Sequence, residues 1–214
     1  MAKPGRRSAT KGTESSKASR DRLVEAAFQT LHEEGFARAS ARAIASRADV
    51  NPALIFYYFD SVNDLLVEAL GRSSRTQLAK YHEATSGLGS PADLVAALRE
   101  RLVDDIATGH VKVMVDMIGA ISSDEALRVA VFEHVNPWME LTGQTLDRVL
   151  KDSGLGGLTG LVPVEEMSFL VVALFLGLEL LVEAAGNGEI VGRVLDSAER
   201  VTAVIGNLLP TAKP

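Results

Sequence analysis

Residues 40–66 read Ser40-Ala-Arg-Ala-Ile-Ala-Ser-Arg-Ala-Asp-Val-Asn-Pro-Ala-Leu-Ile-Phe-Tyr-Tyr-Phe-Asp-Ser-Val-Asn-Asp-Leu-Leu66. Ser40 offers a side-chain acceptor to a short helix that turns Ala41, Ile44 and Ala45 inward. Ala48-Asp49-Val50 makes a tight turn. Asn51-Pro52 opens a second short helix: Asn caps free amides, and Pro sits where no amide is needed. Ile55 and Phe59 face the core from this helix. Ser61 and Asp64 then start a further helix as a pair resembling a capping box. Two short helices joined by a tight turn are how a small domain presents one helix to the DNA major groove.

The pattern extends outward as helices. Over residues 19–34, Leu23, Val24, Ala27, Phe28 and Leu31 share one face. Gly35 is a left-handed stop, and Phe36 packs back on the helix end. The helix opened by Ser61 runs from residue 62 to about 83, ended by Gly87, Gly89 and Pro91. Further helical patterns cover residues 92–108, 110–121 and 124–151, the last with a bend near Pro137. A Gly-rich linker at 153–160 precedes two closing helices at 164–185 and 190–209. No segment alternates like a strand. The expected fold is all-α: a three-helix helix-turn-helix domain followed by a helical bundle. The expected division is a disordered basic arm at 1–18, the reading head at 19–66 and the body at 67–214.

The net charge of −6 conceals an asymmetry. Residues 1–60 carry 10 Lys+Arg against 7 Asp+Glu, whereas residues 61–214 carry 12 against 21. A cationic end on an anionic body suits one face that meets phosphate. With no cysteine, disulfides and thiolate metal sites are excluded, and a reducing, cytoplasmic setting is expected. The N-terminus lacks the apolar run of a secretory signal. The most apolar stretch, 169–182, contains Glu179 and is too short to span a bilayer, so no membrane role is expected.

Helical geometry leaves Asn51, Pro52, Ala53, Leu54, Phe56 and Tyr57 on or near the outer face of the second short helix. Leu54 and Phe56 either touch thymine methyls and sugar edges or fold back into the small core. Tyr57 is placed to donate to a phosphate, and Tyr58 to pack against the following helix. Ser40 and Arg42 flank the preceding helix, where an amide and a guanidinium suit phosphate or a guanine edge. Arg38 and Arg47 read as solvated charges, with Asp49 a partner for Arg47.

Residues 20–66 resemble the DNA-binding domain of TetR-type transcriptional repressors. The resemblance rests on Arg20-Asp-Arg-Leu-Val-Glu-Ala-Ala27, Glu34-Gly-Phe36, Ser40, Ile44-Ala45, Ala48-Asp-Val50, Leu54-Ile-Phe-Tyr-Tyr-Phe59 and Leu65-Leu66. It covers about a quarter of the chain. Three positions depart from the family pattern. Asp49 stands where the turn usually has Gly, at a site expected to need positive φ, which Asp tolerates better than most residues. Ala53 replaces a common Gly. Val62 replaces a usual phosphate-binding Lys, a loss the basic arm is expected to offset.

The apolar helix at 164–185 must be covered all round. It is expected to pair, with the last helix, against its copies across a two-fold axis, through Phe169, Val172, Leu176, Leu180, Val201 and Ile205. The resemblance further implies a small-molecule effector, largely apolar, among the body helices, with Met114, Met117, Ile118, Phe132, Trp138, Met139 and Phe175 as lining. His134, Asp116 and Glu133 lack ligand spacing, so no metal and no cofactor are expected. The four His, at 32, 82, 110 and 134, have no nucleophile motif beside them, and Thr159 spoils a dinucleotide-type glycine pattern. The implied protein is a ligand-responsive, homodimeric, DNA-binding regulator of a near-palindromic operator, and not an enzyme. A helical scaffold with no DNA role is the other class, though it leaves the basic end and the 51–59 helix unexplained.

Overall fold

The computed structural model describes residues 7–121, 124–185 and 189–208. The described elements are α-helices α1 (Arg7–Glu34), α2 (Ala41–Arg47), α3 (Ala53–Tyr58), α4 (Val62–Thr85), α5 (Pro91–Thr108), α6 (His110–Ala120), α7 (Glu125–Asp152), α8 (Val164–Ala185) and α9 (Glu189–Leu208), with 3-10 turns at Phe36–Arg38 and Gly156–Gly160. No described residue lies in a strand, so the all-α expectation holds.

Helix ends follow their caps. Ser40, Ser61, Ser90 and Asp124 each accept a backbone N–H three residues on, at Ala43, Asp64, Asp93 and Leu127. At α4 the pair is reciprocal: the Asp64 amide donates to Ser61 Oγ at 3.1 Å, and that hydroxyl donates to Asp64 Oδ2 at 2.7 Å. Such a cap stabilises its helix by about 1 kcal/mol.

Two expectations are revised. Residues 7–18, read as a disordered arm, continue α1; residues 1–6 lie outside the described residues. Once the amphipathic segment has nucleated, each added residue brings one more backbone hydrogen bond, and Lys, Ser, Ala and Glu tolerate that conformation. The hydroxyls of Ser16 and Tyr58 share a 3.0 Å hydrogen bond that ties this extension to α3. Pro137 does not break α7, which runs through it. Residues 156–160 of the expected linker form a short 3-10 turn.

A continuous core joins head and body. Leu23, Ala27 and Leu31 of α1, Ile44 of α2, Ile55 of α3 and Leu65, Leu66 and Leu70 of α4 meet Val113 and Met117 of α6 and Val131 of α7. α4 is the shared wall. Its first turn is held by Asn63 Nδ2 donating to Asp124 Oδ2 (3.2 Å), and its last by Arg148 of α7, whose guanidinium donates to the Thr85 carbonyl at 2.6 Å. Midway, Gly71 lets His134 of α7 close in: a Cβ there would lie 2.5 Å from the ring. At the α5–α6 joint Gly109 has φ 71° and lies against the His32 ring of α1. α9 is fastened to α5 by Arg99, which bridges Asp196 and Glu199.

Candidate nucleic-acid interface and body cavity

The turn between α2 and α3 depends on one backbone torsion. Asp49 has φ 54°, the left-handed conformation expected of it and shared by no other non-glycine among the described residues. That kink lets the Ala48 amide donate to Ile44 O (2.9 Å) and the Val50 amide to Ala45 O (3.0 Å). With the Asp49 amide donating to Ser46 O at 3.3 Å, three of the four free carbonyls at the end of α2 are used, and α3 is turned away from it.

α3 begins as its sequence dictates. Asn51 Oδ1 accepts from the Ala53 amide at 2.8 Å, just ahead of Pro52. Capping commits the acceptor of Asn51 and leaves its Nδ2 as the group facing outward. Donation to an acceptor on a base edge or phosphate remains open to it.

Side chains on α3 sort into two faces. Ile55 and Phe59 are buried, Leu54 is half-buried against the core, and Phe56 and Tyr57 stand 60% and 74% exposed. The alternative left open for Phe56 is thus decided outward, and that for Leu54 largely inward. Pro52, Ala53 and Asn51 are exposed, as are Ser40 and Arg42 at the adjoining end of α2. Arg42 makes no ion pair among the described residues. Val62, in place of a basic residue, packs half-buried on the core. Tyr58 leans edge-on against Tyr57, with ring centroids 4.8 Å apart, and Arg20 covers the Phe59 ring at 4.9 Å. Arg47 does not pair with Asp49. It bridges Glu33 (2.6 Å) and Glu34 (3.3 Å) at the end of α1, because Asp49 is carried away by its own left-handed turn.

In the body, α4, α5, α6, α7 and α8 enclose a cavity of about 220 Å³. Of the residues expected to line it, Met114, Trp138 and Phe175 do so. Met117 is fully buried in the core, Ile118 and Met139 pack beside it, and Phe132 points out, 43% exposed. Six polar residues at the cavity were missed: Tyr81, Thr85, Asp105, His110, Thr142 and Thr145. Tyr81 donates to Asp105 Oδ2 at 2.5 Å, and His110 Nδ1 lies 2.9 Å from Ser73 Oγ while its ring stacks on Trp138. Burial pushes the Asp105 carboxyl up to about 6 despite the Tyr81 hydrogen bond, and pushes His110 down to about 4. Burial, with Asp105 beside it, also holds the Tyr81 phenol well above its ordinary range. The sequence signal for Asp105 was present: an acid on the apolar face of the 92–108 helix.

The expected pairing face is split. Phe169, Leu180 and Val201 are exposed, together with Leu170, Leu174, Leu181 and Val204. Val172 and Leu176, on the same stripe by helical spacing, are half-buried and line the cavity. The Ile205 side chain lies outside the described residues. Among described residues no group of three or more acids and histidines is placed to hold a metal, and no helix is long and apolar enough to cross a membrane.

Residues 23–69 match the family model of bacterial regulatory proteins of the tetR family. An uncharacterized HTH-type transcriptional regulator of Mycobacterium tuberculosis is 32% identical over 111 residues, 50% of this chain and 55% of that protein. The HTH-type transcriptional repressor KstR of Mycolicibacterium smegmatis is 35% identical over 80 residues, 37% of this chain and 39% of that protein. The matched region thus spans about half the length of these curated relatives, or less. In three dimensions the chain is similar to reduced E. coli NemR, with a TM-score of 0.69 at 18% identity over 85% of this chain and 96% of that one. Similarity at that identity speaks for the fold alone. Residues 23–69 thus carry the sequence pattern of the tetR family's helix-turn-helix region, and the all-helical chain shares its overall fold with NemR.

Proposed function

We propose that the protein is a ligand-responsive transcriptional repressor that binds a near-palindromic operator as a homodimer in the cytoplasm. The observation that carries this reading is the outer face of α3. Phe56 and Tyr57 are exposed on a helix whose other large apolar side chains are buried or half-buried, on the same outer surface as Asn51 and Arg42. Two adjacent exposed rings on a six-residue helix call for a covering surface, and the cationic N-terminal end favours a phosphate-rich one.

In this reading Ser40, Arg42 and Tyr57 hold phosphates, Phe56 touches thymine methyls or sugars, and Asn51 Nδ2 seeks an acceptor on a base edge. The exposed faces of α8 and α9, with Phe169, Leu174, Leu180 and Val201, pair across a two-fold axis and set two heads about one helical turn of DNA apart. An apolar effector fills the body cavity. α4 couples the two sites, since Tyr81 and Thr85 line the cavity while its first turns pack on α3. Release from DNA requires the effector to bind the ill-spaced state more tightly than the DNA-bound one.

The test is capture of genomic fragments by purified protein, followed by mobility shifts at several salt concentrations. A shared, salt-sensitive binding sequence supports the reading. Absence of any preferred duplex refutes it. The relatives named as repressors favour repression over activation, and a reporter driven from the captured site distinguishes the two.

A further inference from the structure

Asp105 is out of place by ordinary rules of burial. It is 1% exposed on α5 and borders a mostly apolar cavity lined by residues such as Leu94, Leu98 and Met114, by aromatic rings and by Thr85, Thr142 and Thr145. Its one side-chain hydrogen bond among the described residues comes from Tyr81. Lys80 and Arg101 favour its charge only from a distance, since both pair directly with the neighbouring Asp104, at 3.0 and 3.7 Å. Among described residues Asp105 has no ion pair. Carboxylates are rarely buried without a counter-charge, because desolvation costs more than one neutral hydrogen bond returns.

The surroundings add to its negative field. Tyr81 meets Trp138 edge-on at 5.2 Å and Phe175 at 6.5 Å, and all three rings line the same cavity. Aromatic faces attract cations, most strongly where water is excluded. Among the described residues no Lys or Arg lines the cavity, and burial keeps His110 neutral. The described lining residues of α7 and α8 are uncharged.

Resting on the reading of this cavity as the effector site, we propose that its ligand is a lipophilic organic cation: a quaternary ammonium or protonated amine on an apolar body, with Asp105 as counter-charge and Tyr81, Trp138 and Phe175 as aromatic walls. Size permits it. An aliphatic void of about 150 Å³ takes benzene, and this one is larger. Anions are turned away by the same field.

The ionisation of Asp105 gives the site a pH signature. Tyr81 and Lys80 approach from α4, Asp104 and Arg101 from α5 and His110 from α6; the raised Tyr81 phenol and the lowered His110 imidazole both stay neutral between pH 5 and 7.5. Asp105, with its carboxyl pushed up to about 6, is mostly charged at pH 7.5 and loses that charge on acidification. Cation affinity is therefore present above pH 6 and declines below it, approaching about tenfold per pH unit at its steepest.

Two probes of nearly one shape separate charge from fit: phenyltrimethylammonium and tert-butylbenzene, titrated calorimetrically into the full-length protein. The cation is expected to bind at least about tenfold more tightly at pH 7.5. That preference should shrink at pH 5 and vanish in Asp105→Asn, which still binds tert-butylbenzene. Equal binding of the two probes, or a preference unchanged in Asp105→Asn, overturns the proposal and leaves the cavity as an apolar effector site. Should Asp105→Asn not fold, the wild-type pH series decides, and a preference constant from pH 7.5 to 5 overturns it. Binding of neither probe overturns both the cation assignment and the effector role of the cavity, while operator binding is judged separately by mobility shift.

Discussion

The reading head and the body solve the problem of polar and apolar surplus in opposite ways. In the head the starts of α2, α3 and α4 are capped by side chains, the small core is closed, and the large apolar side chains left exposed are two rings on one short helix. In the body the core is left open around a cavity, a carboxylate is buried beside it, and a broad apolar face is left on α8 and α9. A head needs one fixed shape to fit a groove. In the reading proposed above, the body offers a void for a ligand to fill and a charge whose cost that ligand relieves.

The contrast is most directly broken at α3. Replacing Phe56 and Tyr57 together by Ala should lower operator affinity by about a hundredfold or more, since each lost contact is worth about 1–3 kcal/mol. Fold stability should be unaffected because both rings are exposed. A thermal midpoint that drops, with operator binding intact, would make these rings part of the core and erase the distinction.

Next in size comes the buried acid. Its carboxyl is raised in the folded state, so ionisation opposes folding above pH 6, and that penalty disappears as pH falls below the unfolded value near 4. Asp105→Asn should accordingly stabilise the protein at pH 7.5 by on the order of 2–3 kcal/mol, with no gain at pH 4, in urea melts at both pH values. His110 works in the other direction. Its folded value is lowered to about 4, so its contribution is complete above about pH 6.5 and is lost on acidification from there towards 4.

The seam between the two regions is tested by Gly109. Its φ of 71° and the His32 ring against it leave no room for a side chain. Gly109→Ala should cost about 2 kcal/mol. Adding His32→Ala should recover the steric part and not the torsional part. Smallest is the α4 cap: Ser61→Ala should cost about 1 kcal/mol and weaken the helix that links head to cavity. A loss of effector response larger than the stability change would mark α4 as the coupling element.

Much of the head was legible because its determinants are local. The capping of α2, α3 and α4, the stop at Gly35 and the left-handed Asp49 each follow from a few adjacent residues with known backbone preferences. The start of α1 was misread because polar composition resembles that of a tail, whereas a helix already anchored in a core extends through such residues. Arg47 was misassigned because its partners, Glu33 and Glu34, are 14 and 13 residues away and approach only once α1 and α2 cross.

In the body, periodicity marked the helices but not their neighbours. An apolar residue looks the same in sequence whether it fills a core, lines a void or awaits a second chain, so Met117, Val172 and Leu174 could not be told apart. Local chemistry wrote the all-helical fold, the capped turn and the basic end into the chain order. Which side chains stand around the cavity, and that Asp105 is shut in among rings without a cation, arose only when five helices packed together. Burial is a property of what surrounds a residue, and those surroundings come from distant parts of the chain.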